Sequence, residues 1–250
     1  MSRGLYNIGN TCYLNSAIQC LAHVPELTNR FLNDGPYEGD CLLTKEYSLL
    51  IRELWNRHSP EPIHPKNFMI EFTQKFPQFI PGHQHDTHEA VLAIIDALEK
   101  SLGLDYMKSL FYGKEEQIVT YPGGTSKRPS EFMSLFVENL ENYSKHVIIS
   151  DYEDDKGEKY HVAAVQNVIQ QTPHCLTVTF TQKCPSDKIP EKFEGMFLFA
   201  LVVHVGMYQG GHYAAFIKHK GQWRLADDDA ISLIEKPNAL CSMAWYKKFL

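Results

Sequence analysis

The hydrophobic period of this chain changes once, close to Gly113, and that change limits the possible folds more than any other feature. Upstream, apolar residues recur at helical spacing. In the block from Gly4 to Leu21, Gly4, Asn7, Gly9 and Asn10 signal an irregular turn. Thr11 then stands as the cap of a helix whose apolar face is Leu14, Ala17, Ile18 and Leu21. Thr44 to Arg57 reads as a second helix, with Tyr47, Leu50, Ile51 and Leu54 on one side. A third begins near Pro65 and carries Phe68, Phe72 and Phe76 at i+4 spacing, a pattern that points to core rather than to a ligand platform. After a loop from Pro77 to Gly82, Asp86 and Glu89 precede Ala90, Ile94, Ala97 and Leu98 as a capping box. The chain is therefore mostly helical to about Leu110.

Downstream the alternation is that of strands. Glu116 to Thr120 and Glu131 to Val137 are short strand candidates separated by the Pro122-Gly123-Gly124 turn. The acidic run Asp151 to Asp155, followed by Gly157, reads as a solvated hairpin tip. Further strands are expected over His161 to Ile169, Leu176 to Phe180, Met196 to Val205, His212 to Lys218, Trp223 to Ala226, Ile231 to Ile234 and near Ser242 to Tyr246. A helical N-terminal half against a mainly antiparallel sheet is an α+β architecture. The cleft between two such halves is a natural place for chemistry. At 250 residues, with 44% hydrophobic and 22% charged residues, the chain suits one compact domain with a substantial core.

The net charge of −6 gives nucleic-acid binding no support. The longest apolar run, Met196 to Val203, is too short to span a bilayer, and no N-terminal segment resembles a secretory leader. The six cysteines are scattered without a CxxC pair, which suits a reducing compartment, cytoplasmic or nuclear.

One of those cysteines, Cys12, falls in the first turn of its helix, where free backbone N–H groups and the positive helix end favour a thiolate. Far away in sequence, Gly210-Gly211-His212-Tyr213 brings a histidine into a strand from a glycine pair, and Asp227-Asp228-Asp229 ends the next strand. A turn at Lys220-Gly221 would set His212 beside the acidic cluster. A cysteine nucleophile needs a base, and the base needs a group to hold its ring; His212 and Asp227 have the chemistry for both roles.

GLYNIGNTCYLNSAIQCL resembles the cysteine box of the ubiquitin-specific proteases, a papain-like family of deubiquitinating enzymes. The stretch ALVVHVGMYQGGHYAAFIKHKGQW resembles that family's histidine box, LADDDAISLI its aspartate segment, and Gln84 to Glu89 a further box between them. The matches run from Gly4 to roughly Tyr246. The resemblance implies Cys12 as nucleophile, His212 as general base and then acid, and Asp227, four residues past Trp223, as the group that orients His212. It places Asn7 at the oxyanion-stabilising position, with Asp228 either supporting the oxyanion donors or holding His212. It also puts Gln84, Asp86, Glu89, Tyr208, Gly210, Gly211 and Tyr213 where the ubiquitin tail is met. A cap accounts for Asp86 and Glu89 equally well, and backbone geometry for the two glycines.

The implied activity is thiol-dependent hydrolysis after the C-terminal Gly of ubiquitin, through a thioester and without a cofactor. Protease action on a ubiquitin-like modifier, or ubiquitin binding without catalysis, are the alternatives. The resemblance divides residues 1–250 into a helical thumb-like half to about 110 and a β-rich half from 111, the palm with shortened fingers. Many members carry two CxxC pairs on the fingers that hold one zinc. Here those places fall around Tyr121 to Gly124 and Asp154 to Gly157, which lack cysteine, so no structural zinc is expected. His83, His85 and His88 lack the companions of a metal site. Ala226 and Ala90 replace larger residues of the family pattern.

Overall fold

A computed structural model describes residues 2–56, 58–206 and 210–248. The first half folds into α1 (Cys12–Leu21), α2 (Pro25–Asn33), α3 (Leu42–Leu54), α4 (Lys66–Lys75), α5 (Thr87–Leu102) and α6 (Leu104–Phe111). Helix α1 is buried at every position, packed between α5 and the main sheet. Asp86 caps α5 by accepting from the N–H groups of His88 (2.7 Å) and Glu89 (3.3 Å), as its spacing implies; the return bond from Glu89 is not formed. Thr11 occupies the N-cap of α1 but uses its hydroxyl to accept from Ile8 N–H at 3.0 Å instead. Helix α2, led by Pro25 at its start, was not anticipated from its mixed polar pattern.

The second half forms β1 (Gly113–Tyr121), β2 (Gly124–Phe132), β3 (Ser134–Val137), β4 (Val147–Glu153), β5 (Lys159–Gln171), β6 (Cys175–Pro185), β7 (Lys192–Phe193), β8 (Met196–Val205), β9 (His212–His219), β10 (Gln222–Asp227), β11 (Ala230–Ile234) and β12 (Leu240–Lys247). The main sheet runs β11-β10-β9-β8-β12-β6-β3, with β7 paired to β8; among the described residues its pairings are antiparallel except β3 with β6. A separate antiparallel sheet runs β2-β1-β5-β4. The alternating window Glu131–Val137 is thus divided. Its first residues end β2 in the small sheet, and the rest form β3 in the main one.

Alternation along β9 explains how the halves join. Tyr213, Ala215 and Ile217 face the core shared with the helices, while Ala214 and Phe216 face a second apolar cluster behind the sheet. Phe68 and Phe72 are buried in the first cluster, with Phe76 packed at its edge. Ala226 and Ala90 are buried there too.

At the tip of the small sheet, where the family's metal-binding pairs would fall, Tyr121 packs 4.9 Å from Tyr152 and 4.7 Å from Tyr160. Arg128 and Asp155 are paired at 2.8 Å across the same tip. Val119 and Ala163 lie buried beneath the rings.

Candidate active site

The turn before Cys12 needs backbone that most residues avoid. Gly9 has φ of 109° and Asn10 of 56°, both left-handed, and these reverse the chain into α1. Asn7 braces the turn, its Oδ1 accepting from Thr11 N–H at 3.1 Å and Gly9 N–H at 3.3 Å. Upstream, Leu5 N–H donates to the carbonyl of Asp228 at 2.8 Å, and Tyr6 N–H to that of Ile63 at 2.9 Å. A Cβ on Gly4 would lie 2.0 Å from the Asp229 carbonyl, so only glycine permits this approach. The N-terminal segment is thereby sewn to the acidic loop that follows β10.

Cys12 is 2% exposed. Burial raises its thiol above the ordinary value, and the nearby negative charge of Asp228 pushes the same way. Backbone N–H groups of Tyr213, Tyr13 and Cys12 itself oppose this without overcoming it. The helix end that favours thiolate in the sequence is therefore outweighed by desolvation in the fold.

His212 opens β9, and the β9–β10 hairpin turns at Lys220 and Gly221, both with positive φ. This pairing brings the His212 Nε2 to 2.5 Å from Asp227 Oδ1. With Nε2 held by a carboxylate, Nε2 carries the proton and Nδ1 keeps its lone pair. The backbone of the very next residue, Tyr213, lies close enough to Cys12 to oppose the rise of its thiol. The first helix and the histidine strand, at opposite ends of the sequence, pack against one another here.

Asp228 sits at φ 48° immediately after β10. One carboxylate oxygen accepts from Asn7 Nδ2 at 2.9 Å and the other from Asn15 Nδ2 at 2.8 Å. Sequence reasoning missed Asn15. Its signal was an asparagine one turn after Cys12 on a wholly buried helix, where a polar side chain requires a partner. Its amide also points to the carbonyls of Leu5 (3.2 Å) and Tyr6 (3.4 Å). Ligand atoms of His212, Asp227 and Asp228 lie within 4.8 Å of one another, close enough for a cation. Hydrogen bonds to one another and to the two asparagines already account for them.

A cleft of about 760 Å³ opens beside these groups, lined in part by Gln84, Asp86, Glu89, His204 and Tyr213. Gln84 clamps Gly211, accepting from its N–H at 2.7 Å and donating to its carbonyl. Asp86 spends one oxygen on the α5 cap and accepts from the Tyr213 hydroxyl at 3.1 Å with the other. Burial, and then the Asp86 charge, raise that phenol far above its ordinary range. His204, also unforeseen, stacks on Tyr213 at 4.3 Å and fills the place where a Gly211 Cβ would fall, 2.0 Å from its Nε2. Among the described residues no atom beyond its chain neighbours lies within 4 Å of where a Gly210 Cβ would fall. Tyr208 lies outside the described residues.

The three neighbouring histidines diverge. His83 lines the cleft, His85 packs edge-on against Tyr13 and Phe79, and His88 is buried against Phe136.

The chain is 37% identical over 109 residues to ubiquitin carboxyl-terminal hydrolase 5 of Arabidopsis thaliana, and 35% identical over 108 residues to ubiquitin carboxyl-terminal hydrolase 15 of Homo sapiens. Each match covers 40% of this chain, and only 12% and 11% of the relatives' own length. Among solved structures, the fold is similar to the SAGA Ubp8/Sgf11/Sus1/Sgf73 DUB module bound to ubiquitin aldehyde. That similarity has a TM-score of 0.78 at 18% identity, covering 99% of this chain and 70% of that one. The family profile described as ubiquitin carboxyl-terminal hydrolase matches residues 3–246, nearly the whole chain, and this protein therefore belongs to the ubiquitin carboxyl-terminal hydrolase family.

Proposed function

We propose that this chain is a cysteine-type deubiquitinase, hydrolysing the peptide or isopeptide bond after the C-terminal glycine of ubiquitin through a thioester on Cys12. The observation that carries this reading is the 2.5 Å His212–Asp227 contact at the start of a strand that packs against the helix carrying Cys12. Family membership and the ubiquitin aldehyde bound in the similar module support ubiquitin as the partner.

In this mechanism His212 Nδ1 takes the thiol proton as Cys12 attacks the glycine carbonyl carbon. Burial raises the thiol above its ordinary value, so a neighbouring base is needed to draw its proton off. Asp227 stabilises the imidazolium that results. Negative charge on the carbonyl oxygen is met by the second Nδ2–H of Asn7, whose first is fixed on Asp228. Backbone N–H groups at the start of α1 assist. One such donor contributes about 3 kcal/mol to the transition state. The imidazolium protonates the leaving amine, and the same base then activates water to cleave the thioester.

The cleft receives the ubiquitin tail. Asp86 and Glu89 meet its cationic side chains, and Gln84, Gly210, Gly211 and Tyr213 shape the passage for its terminal glycines. The helices to about residue 110 serve as thumb and the later strands as palm, with the small sheet as shortened fingers.

The test is hydrolysis of a ubiquitin C-terminal fluorogenic amide by wild type, Cys12→Ala and His212→Ala. Turnover by wild type alone is expected. Undiminished turnover by Cys12→Ala would sink the reading. The same reporter built on a ubiquitin-like modifier ending in Gly-Gly ranks the substrates; preference for it would move the substrate assignment and leave the chemistry intact.

A further inference from the structure

Both elements that carry the reacting groups run away from the active site to one common place. Helix α1 starts at Cys12 and ends at Leu21, followed by Ala22 and His23. Strand β9 starts at His212 and ends at Lys218 and His219. These far ends, with the start of α2 and Trp55 after α3, line a pocket of about 400 Å³, a size suited to a small ligand.

The walls are of two kinds. One is aromatic and flat: Trp55 lies 5.2 Å from His23 and 5.6 Å from His219, and His23 meets His219 at 5.9 Å. Trp55 Nε1 donates to the Ala22 carbonyl at 3.1 Å, which fixes the indole face. His23 Nδ1 donates to the Gln19 carbonyl at 2.8 Å. Burial suppresses its protonation to about 3, so the ring is a neutral wall. The other wall is cationic. Lys218, Lys220 and Lys247 line the pocket, and no Asp or Glu does, on a protein whose net charge is −6.

Lys218 is already paired with Glu191 at 2.7 Å. Lys220 and Lys247 have no ion-pair partner among the described residues. Lys247 lies half-buried, with its ammonium directed to the His23 carbonyl at 3.3 Å and over the Phe199 ring at 4.6 Å. A desolvated ammonium without a carboxylate partner is costly unless an anion completes it. Glu26 on α2 influences it through space, but is turned toward His174 at 3.9 Å.

We propose that this pocket is a binding site for a small organic anion with a flat aromatic body: the body lies against Trp55 and His219, and the anionic head meets Lys220 and Lys247. The site is separate from the catalytic cleft and shares no lining residue with it. Nothing in the proposal depends on the assigned reaction.

Calorimetric titration of the whole chain tests it with three probes: naphthalene-1-sulfonate, the neutral naphthalene-1-methanol, and inorganic sulfate. Saturable one-to-one binding of the sulfonate is expected, with each of the other two at least about tenfold weaker, because each supplies only half of the complementarity. Lys247→Met should weaken sulfonate binding by about tenfold. Because Lys247 is half-buried, the exposed Lys220→Glu provides a second variant that leaves the core untouched; it should also weaken the sulfonate and leave the neutral probe unchanged. Trp55→Phe should weaken both aromatic probes. Absence of saturable sulfonate binding to wild type would overturn the proposal. So would equal affinity for sulfonate and neutral probe, or sulfonate binding indifferent to Lys220→Glu.

Discussion

Replacing Asp228 by asparagine probes the junction on which Asn7, the proposed oxyanion donor, rests. The substitution keeps the shape, and asparagine tolerates the φ of 48° found there. It does not keep the bonding. The carboxylate accepts from Asn7 at 2.9 Å and Asn15 at 2.8 Å, whereas an amide offers one oxygen and turns an NH₂ toward the other donor. One charge-assisted bond, of about 1.5–3 kcal/mol, is lost. Asn15 has the Leu5 and Tyr6 carbonyls to fall back on, so disorder falls mainly on Asn7. Asn7 still holds Thr11 N–H and Gly9 N–H through its Oδ1, so the donor is loosened rather than removed. The expected loss in kcat is therefore about 10- to 100-fold, about 1.4–2.8 kcal/mol in the barrier and below the 10²–10³ of outright deletion. KM on a ubiquitin amide should change little. The same substitution removes a negative charge that raises the Cys12 thiol, so alkylation of Cys12 by iodoacetamide should become faster at a given pH. Slower turnover together with faster alkylation is the signature. Wild-type kcat in Asp228→Asn would refute the assignment of Asp228 as the anchor of Asn7.

Three other outcomes are expected. Gly211→Ala places a Cβ 2.0 Å from His204 Nε2, so it should displace the histidine from Tyr213 and raise KM; an unchanged KM would show that the wall is free to move. His23 has its proton affinity lowered from the ordinary 6.5 to about 3, so between those values the unfolded chain binds a proton that the folded chain rejects. Stability should then fall as pH drops below 6.5, by up to about 1.4 kcal/mol per unit, and His23→Gln should flatten the urea midpoint between pH 6.5 and 4. Equal slopes in the two proteins would contradict this. Tyr160→Ala removes one ring from the tip cluster, each aromatic pair contributing about 0.5–1.5 kcal/mol, and amide exchange at the β1 and β5 ends should quicken while the main sheet stays protected.

What could be read without the structure was what local chemistry determines. The Gly9-Asn10 turn, the Asp86 cap and the β9–β10 hairpin each lie within a few residues of their own signals, and each formed where expected. Asn15 could not be assigned a role because its partner, Asp228, stands 213 residues away. Gln84 is likewise separated by 127 residues from the Gly211 backbone it clamps. Alternation marked Glu131–Val137 as extended, but nothing in a period of two says which sheet a strand joins. The Cys12 thiol illustrates the other limit: a helix end is visible in sequence, whereas the burial that outweighs it arises only when β9 packs over α1.

The most direct test of the account is chemical. The whole chain is incubated with ubiquitin carrying a C-terminal alkyne electrophile, and the product is resolved by intact mass and peptide mapping. The expected result is a single ubiquitin adduct on the sulfur of Cys12, absent from Cys12→Ala and strongly slowed in His212→Ala. An adduct on any of the other five cysteines, or none on a folded wild-type chain, would contradict the claim that α1 and β9 meet to form a working nucleophile.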